Sequence, residues 1–183
     1  MSSFAIYAPR SSEQPGEPLP QSLAIVPATL DDVPGIAGLV SEREGITLDE
    51  ALARTSRGLQ IDAERGDLVL CAKVEGNVIG FGRARSLKCL DAEVPQGWYL
   101  MGIIIADPYR RRGIATELTR LRLAWIAEHA GEAYYFANSL NLASIDLHRR
   151  LGFVEARRPF RFPGVTFSRG GIGVLFRINL KCE

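Results

Sequence analysis

Alternating and helically spaced apolar positions divide the chain from residue 22 onward into short strands and amphipathic helices. LAIVPAT, residues 23–29, reads as a strand, and Thr29 is placed to cap a helix through LDDVPGIAGLVSE, with Asp31 and Asp32 at its positive end. TLDE at 47–50 is a capping box, and Leu48, Ala51, Leu52 and Leu59 hold a helical period until Gly66. DLVLCAKV and VIGFGRARSL, joined by the turn EGN, predict an antiparallel hairpin. GWYLMGIIIA is too apolar for a one-sided surface strand, which predicts a central strand covered on both faces. The next helix runs through ELTRLRLAWIAEHA with Ile114, Leu118, Leu121 and Trp125 on its inner seam and Glu117, Arg120 and Glu128 outward, ending at Gly131. EAYYFANS is a strand, ASIDLHRRL a helix stopped by Gly152 with Ala143, Leu147 and Leu151 inward, and FVEARRPFRF and GVLFRINL are closing strands.

Composition narrows the class. With 46% hydrophobic and 23% charged residues among 183, the chain suits one soluble core rather than a disordered state. No apolar run approaches the ~20 residues that cross a bilayer, so no membrane partner is expected. A formal charge of +1 supplies no bulk attraction to nucleic acid, which is likewise not expected as a partner. Cys71, Cys89 and Cys182 stand far apart with no CxxC pair and two histidines, His129 and His148, so neither a disulfide framework nor a metal site is expected. That usage fits a reducing, cytoplasmic setting. Residues 1–21, polar and containing several prolines, read as a flexible tail before a single domain spanning 22–183.

The chemistry begins where the central strand runs into Arg110-Arg111-Arg112-Gly113-Ile114-Ala115-Thr116 and then a helix. A helix start offers unpaired N–H groups at the positive end of the macrodipole, a site for an anion. Gly113 and Ala115 keep the main chain accessible to a diphosphate, and the arginines add charge-assisted bonds. The turn lacks the Lys-Ser/Thr ending of a Walker loop and the GxGxxG of a dinucleotide fold, which argues against nucleotide hydrolysis and hydride transfer.

IIIADPYRRRGIATELTRLRL resembles the acetyl-CoA-binding signature of the GNAT N-acetyltransferase superfamily, Arg/Gln-x-x-Gly-x-Gly/Ala, with Arg110, Gly113 and Ala115 on its specified positions. NLASIDLHRRLGF is similar to that family's Asn-x-x-Ala/Ser-x-x-x-Tyr helix ending in Leu-Gly-Phe, through Asn141, Ser144, His148, Leu151, Gly152 and Phe153. The chain departs from the pattern at Asp107-Pro108, where the proline falls one residue late, and at His148, where many members carry the tyrosine cast as leaving-group acid. The resemblance implies an α+β fold: a mixed, mostly antiparallel central sheet flanked by helices, with a V-shaped splay between its two central strands. It also implies acetyl-CoA as cosubstrate, bound by Ile103, Ile104 and Ile105 along the strand, by Arg110 through Thr116 at the turn, and by Asn141 and Ser144. Gly102 suits a bulge or close backbone approach in the strand.

Acetyl transfer from a thioester needs a neutral amine, a polarised carbonyl and a proton for the sulfur. His148 is the candidate acid, since imidazole titrates near neutrality. For the amine's proton the chain offers carboxylates at Asp91, Glu93, Glu42, Glu44 and Glu50, of which Glu93 is the chosen candidate; Trp98 and Tyr99 stand near it, one of them in the core by alternation. The expected activity is transfer to an amine, foremost of a small molecule. Acetylation of a protein N-terminus or lysine, and CoA binding without turnover, are the alternatives, and a homodimer is left open.

Overall fold

The computed structural model describes residues 18–88, 93–167 and 170–180. The first 17 residues of the expected tail, together with Cys89, Asp91 and Cys182, lie outside the described residues. Seven strands, β1 (Leu23–Pro27), β2 (Leu68–Val74), β3 (Asn77–Leu87), β4 (Gly97–Ile105), β5 (Glu132–Asn138), β6 (Val154–Phe160) and β7 (Gly173–Asn179), make a sheet of order β1-β2-β3-β4-β5-β7-β6. Four helices flank it: α1 (Val33–Glu44), α2 (Leu48–Arg65), α3 (Ile114–Ala127) and α4 (Leu142–Arg150). The pairs β1–β2, β2–β3, β5–β7 and β6–β7 are antiparallel and β4–β5 is parallel. This is the mixed α+β architecture expected of the chain.

The chain divides into two compact bodies, with the first holding residues 18–85 and 101–122 and the second 86–100 and 123–180 among those described. In the first body, Thr29 and Asp32 close a capping box over one turn of 3-10 helix, the Thr29 amide donating to Asp32 Oδ2 at 3.0 Å, and α1 follows. Thr47 caps α2 by accepting from the Glu50 amide at 3.2 Å, and Gly66 ends it in the left-handed region. The hairpin turn places Glu75 and Gly76 at φ 51° and 81°, the positive pair that matches strand twist in a two-residue loop. Helices α1 and α2 bury Ile36, Val40, Ala51 and Leu59 against Val69, Cys71 and Phe81, while the start of α3 buries Ile114 and Leu118 against Leu70, Ala72, Ile79 and Ile105. Because neighbouring strand residues alternate between these two clusters, β2 is buried on both faces.

The seam of α3 differs from the expectation. Leu121 is exposed, and Arg122 is buried in its stead, 1% accessible. Its Nε donates to the Leu118 carbonyl at 3.1 Å, Nη1 to the Arg83 carbonyl at 2.9 Å and Nη2 to Thr119 Oγ1 at 3.0 Å. Gly82 makes the room, since a Cβ there would stand 2.9 Å from the guanidinium carbon.

In the second body, β5 carries Tyr134 and Phe136 on one face and Tyr135 on the other. Phe136 stacks on Phe162 at 4.5 Å and Tyr134 on Tyr99 at 5.2 Å. Tyr99 is the core aromatic of its pair, its hydroxyl donating to the Pro95 carbonyl at 2.6 Å, whereas Trp98 is half-buried edge-on to Trp125. Strand β6 is a solvated edge whose residues 154–159 are all exposed.

Candidate acetyl-donor site

Strand β4 is covered on both faces, Ile104 packing on the α1–α2 cluster and Ile103 and Ile105 on the α3 cluster, and within it Gly102 alone is exposed. Its parallel ladder with β5 has three rungs, Trp98↔Ala133, Tyr99↔Tyr134 and Leu100↔Tyr135, and stops there although β4 runs on to Ile105. Two residues later Gly102 takes φ 51°, exposed, with no atom within 4 Å of where a Cβ would be. A left-handed residue inside a strand interrupts the pleat, and no rung to β5 follows it.

Beyond Ile105 the backbone forms a 3-10 turn, Asp107–Tyr109, and an extended Arg110. Arg111 sits at φ 67° and Gly113 at φ 86°. A non-glycine residue held at positive φ stores strain of ~1 kcal/mol or more, which clusters at binding loops. The first amides of α3 to find backbone partners are those of Thr116 and Glu117, both to the Gly113 carbonyl at 2.9 and 3.1 Å. The amides of Gly113, Ile114 and Ala115 precede that ladder and have no acceptor among the described residues, so three donors converge at the positive helix end.

The three arginines divide their work. Arg110 is turned back on the loop, Nε donating to the Ile105 carbonyl at 3.0 Å and Nη2 pairing with Asp107 at 2.5 Å. Arg112 lies over the Tyr109 ring at 5.8 Å. Arg111 is exposed and is the guanidinium most accessible to a ligand at the turn. The proline shifted to Pro108 sits inside the 3-10 turn and leaves these amides in place.

In the second body, Asn141 is the N-cap of α4, its Oδ1 accepting from the Ser144 amide at 3.4 Å. Ser144 Oγ accepts from Tyr135 Oη at 2.6 Å. His148 is 1% accessible, stacked flat on Tyr135 with ring centroids 3.6 Å apart and planes 2° apart, and its Nδ1 donates to the Ser144 carbonyl at 2.8 Å. The buried side chains of α4 are therefore Ile145 and His148, while Ala143, Leu147 and Leu151 are half-buried, reversing the expected inner face. An aromatic shelf that accepts an imidazole face and a serine hydroxyl outcompetes an alanine stripe for the contact. Glu93 is exposed, and its carbonyl accepts from Arg157 Nη1 at 2.9 Å.

The sequence pattern of the acetyltransferase (GNAT) family matches residues 39–153. This chain belongs to that family. With membership come the class of enzyme, an N-acetyltransferase, and its cosubstrate, acetyl-CoA. A 65-residue stretch is 35% identical to an N-alpha-acetyltransferase MAK3 of Arabidopsis thaliana; it covers 35% of this chain and spans 34% of that relative's length. The fold superposes on a ribosomal-protein-alanine N-acetyltransferase from Brucella melitensis with a TM-score of 0.71 at 23% identity, over 85% of this chain and 99% of the other. It also superposes on an acetyltransferase from Salmonella typhimurium solved with its cofactor acetyl-CoA, TM-score 0.69 at 18% identity, over 88% and 95%.

The residues of this GNAT chain fit a diphosphate donor: three adjacent amides without acceptors, a glycine whose Cβ would point toward Leu19 at 3.8 Å and otherwise into open space, and an exposed arginine beside them. Three residues escaped the sequence. Arg122 and Tyr135 sit in apolar runs where only neighbours such as Gly82 and Ser144 reveal their use, and Arg43 carries no motif at all. Among the described residues, no group of His, Cys, Asp and Glu is arranged to hold a metal ion, and no helix is long and apolar enough to cross a membrane.

Proposed function

We propose that this GNAT chain moves the acetyl group of acetyl-CoA onto the amine of a small molecule by direct attack. The observation that carries the reading is the cluster of acceptor-free amides at Gly113, Ile114 and Ala115, at the end of a strand whose parallel ladder with β5 stops five residues before its C-terminus. The turn grips the diphosphate, and the backbone of Ile103 to Ile105 beyond the last β4–β5 rung receives the pantetheine arm, save the Ile105 carbonyl that Arg110 holds. In the transfer, one proton passes from the ammonium to a carboxylate or water, the neutral amine forms the N–C bond, the C–S bond breaks, and the nitrogen's second proton is released as the thiolate takes one up and leaves as a free thiol. A primary amine is protonated at neutral pH, so its activation costs roughly 4 kcal/mol, which a carboxylate offsets in part. Glu93 in the loop before β4 and Glu42 at the end of α1 are the two carboxylates this reading draws on. Asn141 and Ser144 support α4, and His148 serves as its packing anchor.

A second reading, transfer to a protein N-terminus, is favoured by the similarity to the plant N-alpha-acetyltransferase. Free-thiol release with acetyl-CoA and a panel of small amines, amino acids and peptides separates the two readings. Gly113→Val is expected to raise KM for acetyl-CoA tenfold or more while costing about 1–2 kcal/mol of stability, because a branched side chain at φ 86° both strains the turn and covers its amides. Unchanged KM would remove the turn from donor binding.

A further inference from the structure

The inner seam of α3 carries a charge where packing alone asks for a leucine. Arg122 is buried, and its three donating nitrogens reach only neutral acceptors, the carbonyls of Leu118 and Arg83 and the hydroxyl of Thr119. Among the described residues no carboxylate pairs with it, and burial is the one influence on its pKa. The acids of this body that stand on neighbouring elements are committed elsewhere, Asp62 to Arg83 and Arg85, and Glu117 to Arg120. A dry cation without a counter-ion costs stability that an apolar side chain of similar reach would not. Its charge therefore calls for an anion from outside the protein.

That anion has a place at the head of the same helix. The Arg122 side chain runs back toward the N-terminus of α3, as its bonds to Leu118 and Thr119 require. Leu118 lies four residues past Ile114, about 6 Å along the axis, and the acceptor-free amides of Gly113, Ile114 and Ala115 stand at that end. The space between is filled by the buried Ile114, Leu118 and Thr119, so the field of the guanidinium is little screened there. The arginines of the turn are placed differently. Arg110 is held by Asp107 and the Ile105 carbonyl, Arg112 lies over Tyr109, and Arg111 is exposed to water and its salt.

We propose that Arg122 is a positioning residue for the acetyl donor, its buried charge acting along α3 to strengthen the hold of the Gly113–Ala115 amides on the diphosphate without touching it. The proposal rests on the acetyl-transfer reading and adds to it a group outside the turn. Over ~10 Å at an effective permittivity of about 20, a cation and a dianion attract enough to change a dissociation constant about ten- to a hundredfold.

The test titrates CoA calorimetrically into the full chain and reads inorganic pyrophosphate as its competitor. Arg122→Met and Arg122→Gln are each expected to weaken CoA and pyrophosphate by the same factor, about ten- to a hundredfold. Thr119→Val, which keeps the charge and removes the hydroxyl between Arg122 and the Ala115 carbonyl, is expected to leave both within threefold. CoA binding by Arg122→Met at the wild-type level overturns the proposal and leaves the donor turn standing. Wild-type binding by Arg122→Gln overturns it too, since hydrogen bonds and not charge would then be what matters. So does a tenfold loss in Thr119→Val, or a loss for CoA that pyrophosphate does not share. Failure of pyrophosphate to displace CoA from the wild type overturns the diphosphate grip itself, and no heat of CoA binding overturns the acetyl-transfer reading as well. Circular dichroism establishes that each variant is folded, and Thr119→Val still decides between charge and relay if neither substitution at position 122 folds.

Discussion

An imidazole that is 1% accessible, flat against a phenol and bonded at Nδ1 to a helix carbonyl is held by packing on three sides. The sequence spacing put His148 on the polar side of α4, because periodicity ranks side chains by polarity and cannot see Tyr135 waiting beneath. His148→Phe keeps the stacking and loses the Nδ1 bond to the Ser144 carbonyl, so it is expected to cost about 1 kcal/mol or more, a Tm drop of at least ~2–4 °C, with kcat within threefold. A hundredfold loss of kcat at unchanged Tm would instead make the imidazole the proton donor to the sulfur. Gly113 and Ala115 stand out in the sequence because a backbone that is to meet a ligand demands small residues whatever the fold around it, and the structure places both beside the acceptor-free amides. Arg110 was legible as a position but not as a contact: its guanidinium braces the loop through Asp107 and Ile105.

At the level of the element, α3 is fixed to β3 through a cation instead of a leucine. Arg122 bridges Arg83, Leu118 and Thr119, and Thr119 Oγ1 in turn donates to the Ala115 carbonyl at 2.8 Å, so the chain of bonds reaches the first turn that bears the free amides. Burial pulls the Arg122 pKa down to about 9, which still leaves it cationic at neutral pH. Its two neighbours make the arrangement testable as a cycle. Gly82→Ala is expected to cost about 1–3 kcal/mol in the wild-type background, because the new methyl meets the guanidinium, and distinctly less in an Arg122→Met background, where that group is gone. Additive costs in urea unfolding would show that the strand and not the guanidinium resists the methyl. The helix itself was legible from its period and the cap of α2 from its motif, while Thr29 caps the 3-10 turn ahead of α1; the buried arginine was not legible, because polar residues are assigned outward by default and the compensating glycine lies 40 residues away.

For the whole molecule, stability should follow the Asp32–Lys73 pair, which joins the start of α1 to β2 at 2.6 Å. Burial works against the Asp32 carboxylate, but the Lys73 bond and the Thr29 amide outweigh it, so its pKa is lowered; the bond to Asp32 raises that of Lys73 despite desolvation. A depressed acid contributes stability above its unfolded value near 4 and loses it as pH falls through the folded value; a raised lysine contributes below ~10.5 and loses it as pH climbs past its folded value. Unfolding free energy is therefore expected to be flat between about pH 5 and 9 and to fall on both sides. Lys73→Met should cost about 2 kcal/mol at pH 7 and shift the acid limb toward higher pH; an unmoved limb would relieve the pair of that role. The order of strands and helices was legible from apolar spacing, turns and caps. The early end of the β4–β5 ladder was not, because three consecutive isoleucines look the same whether or not their amides are paired.

The outermost strand carries a different message. Along β6, Arg157 is tied to the Glu93 carbonyl, Arg158 holds Glu155 through two bonds of 2.8 and 2.9 Å, and Pro159 has no N–H to offer. A neighbouring molecule seeking to prolong the sheet there would meet charge, committed side chains and a missing donor. Fibrillar stacking and strand exchange are blocked at that border by its own residues, leaving the protein free to expose a long row of backbone to water without clumping.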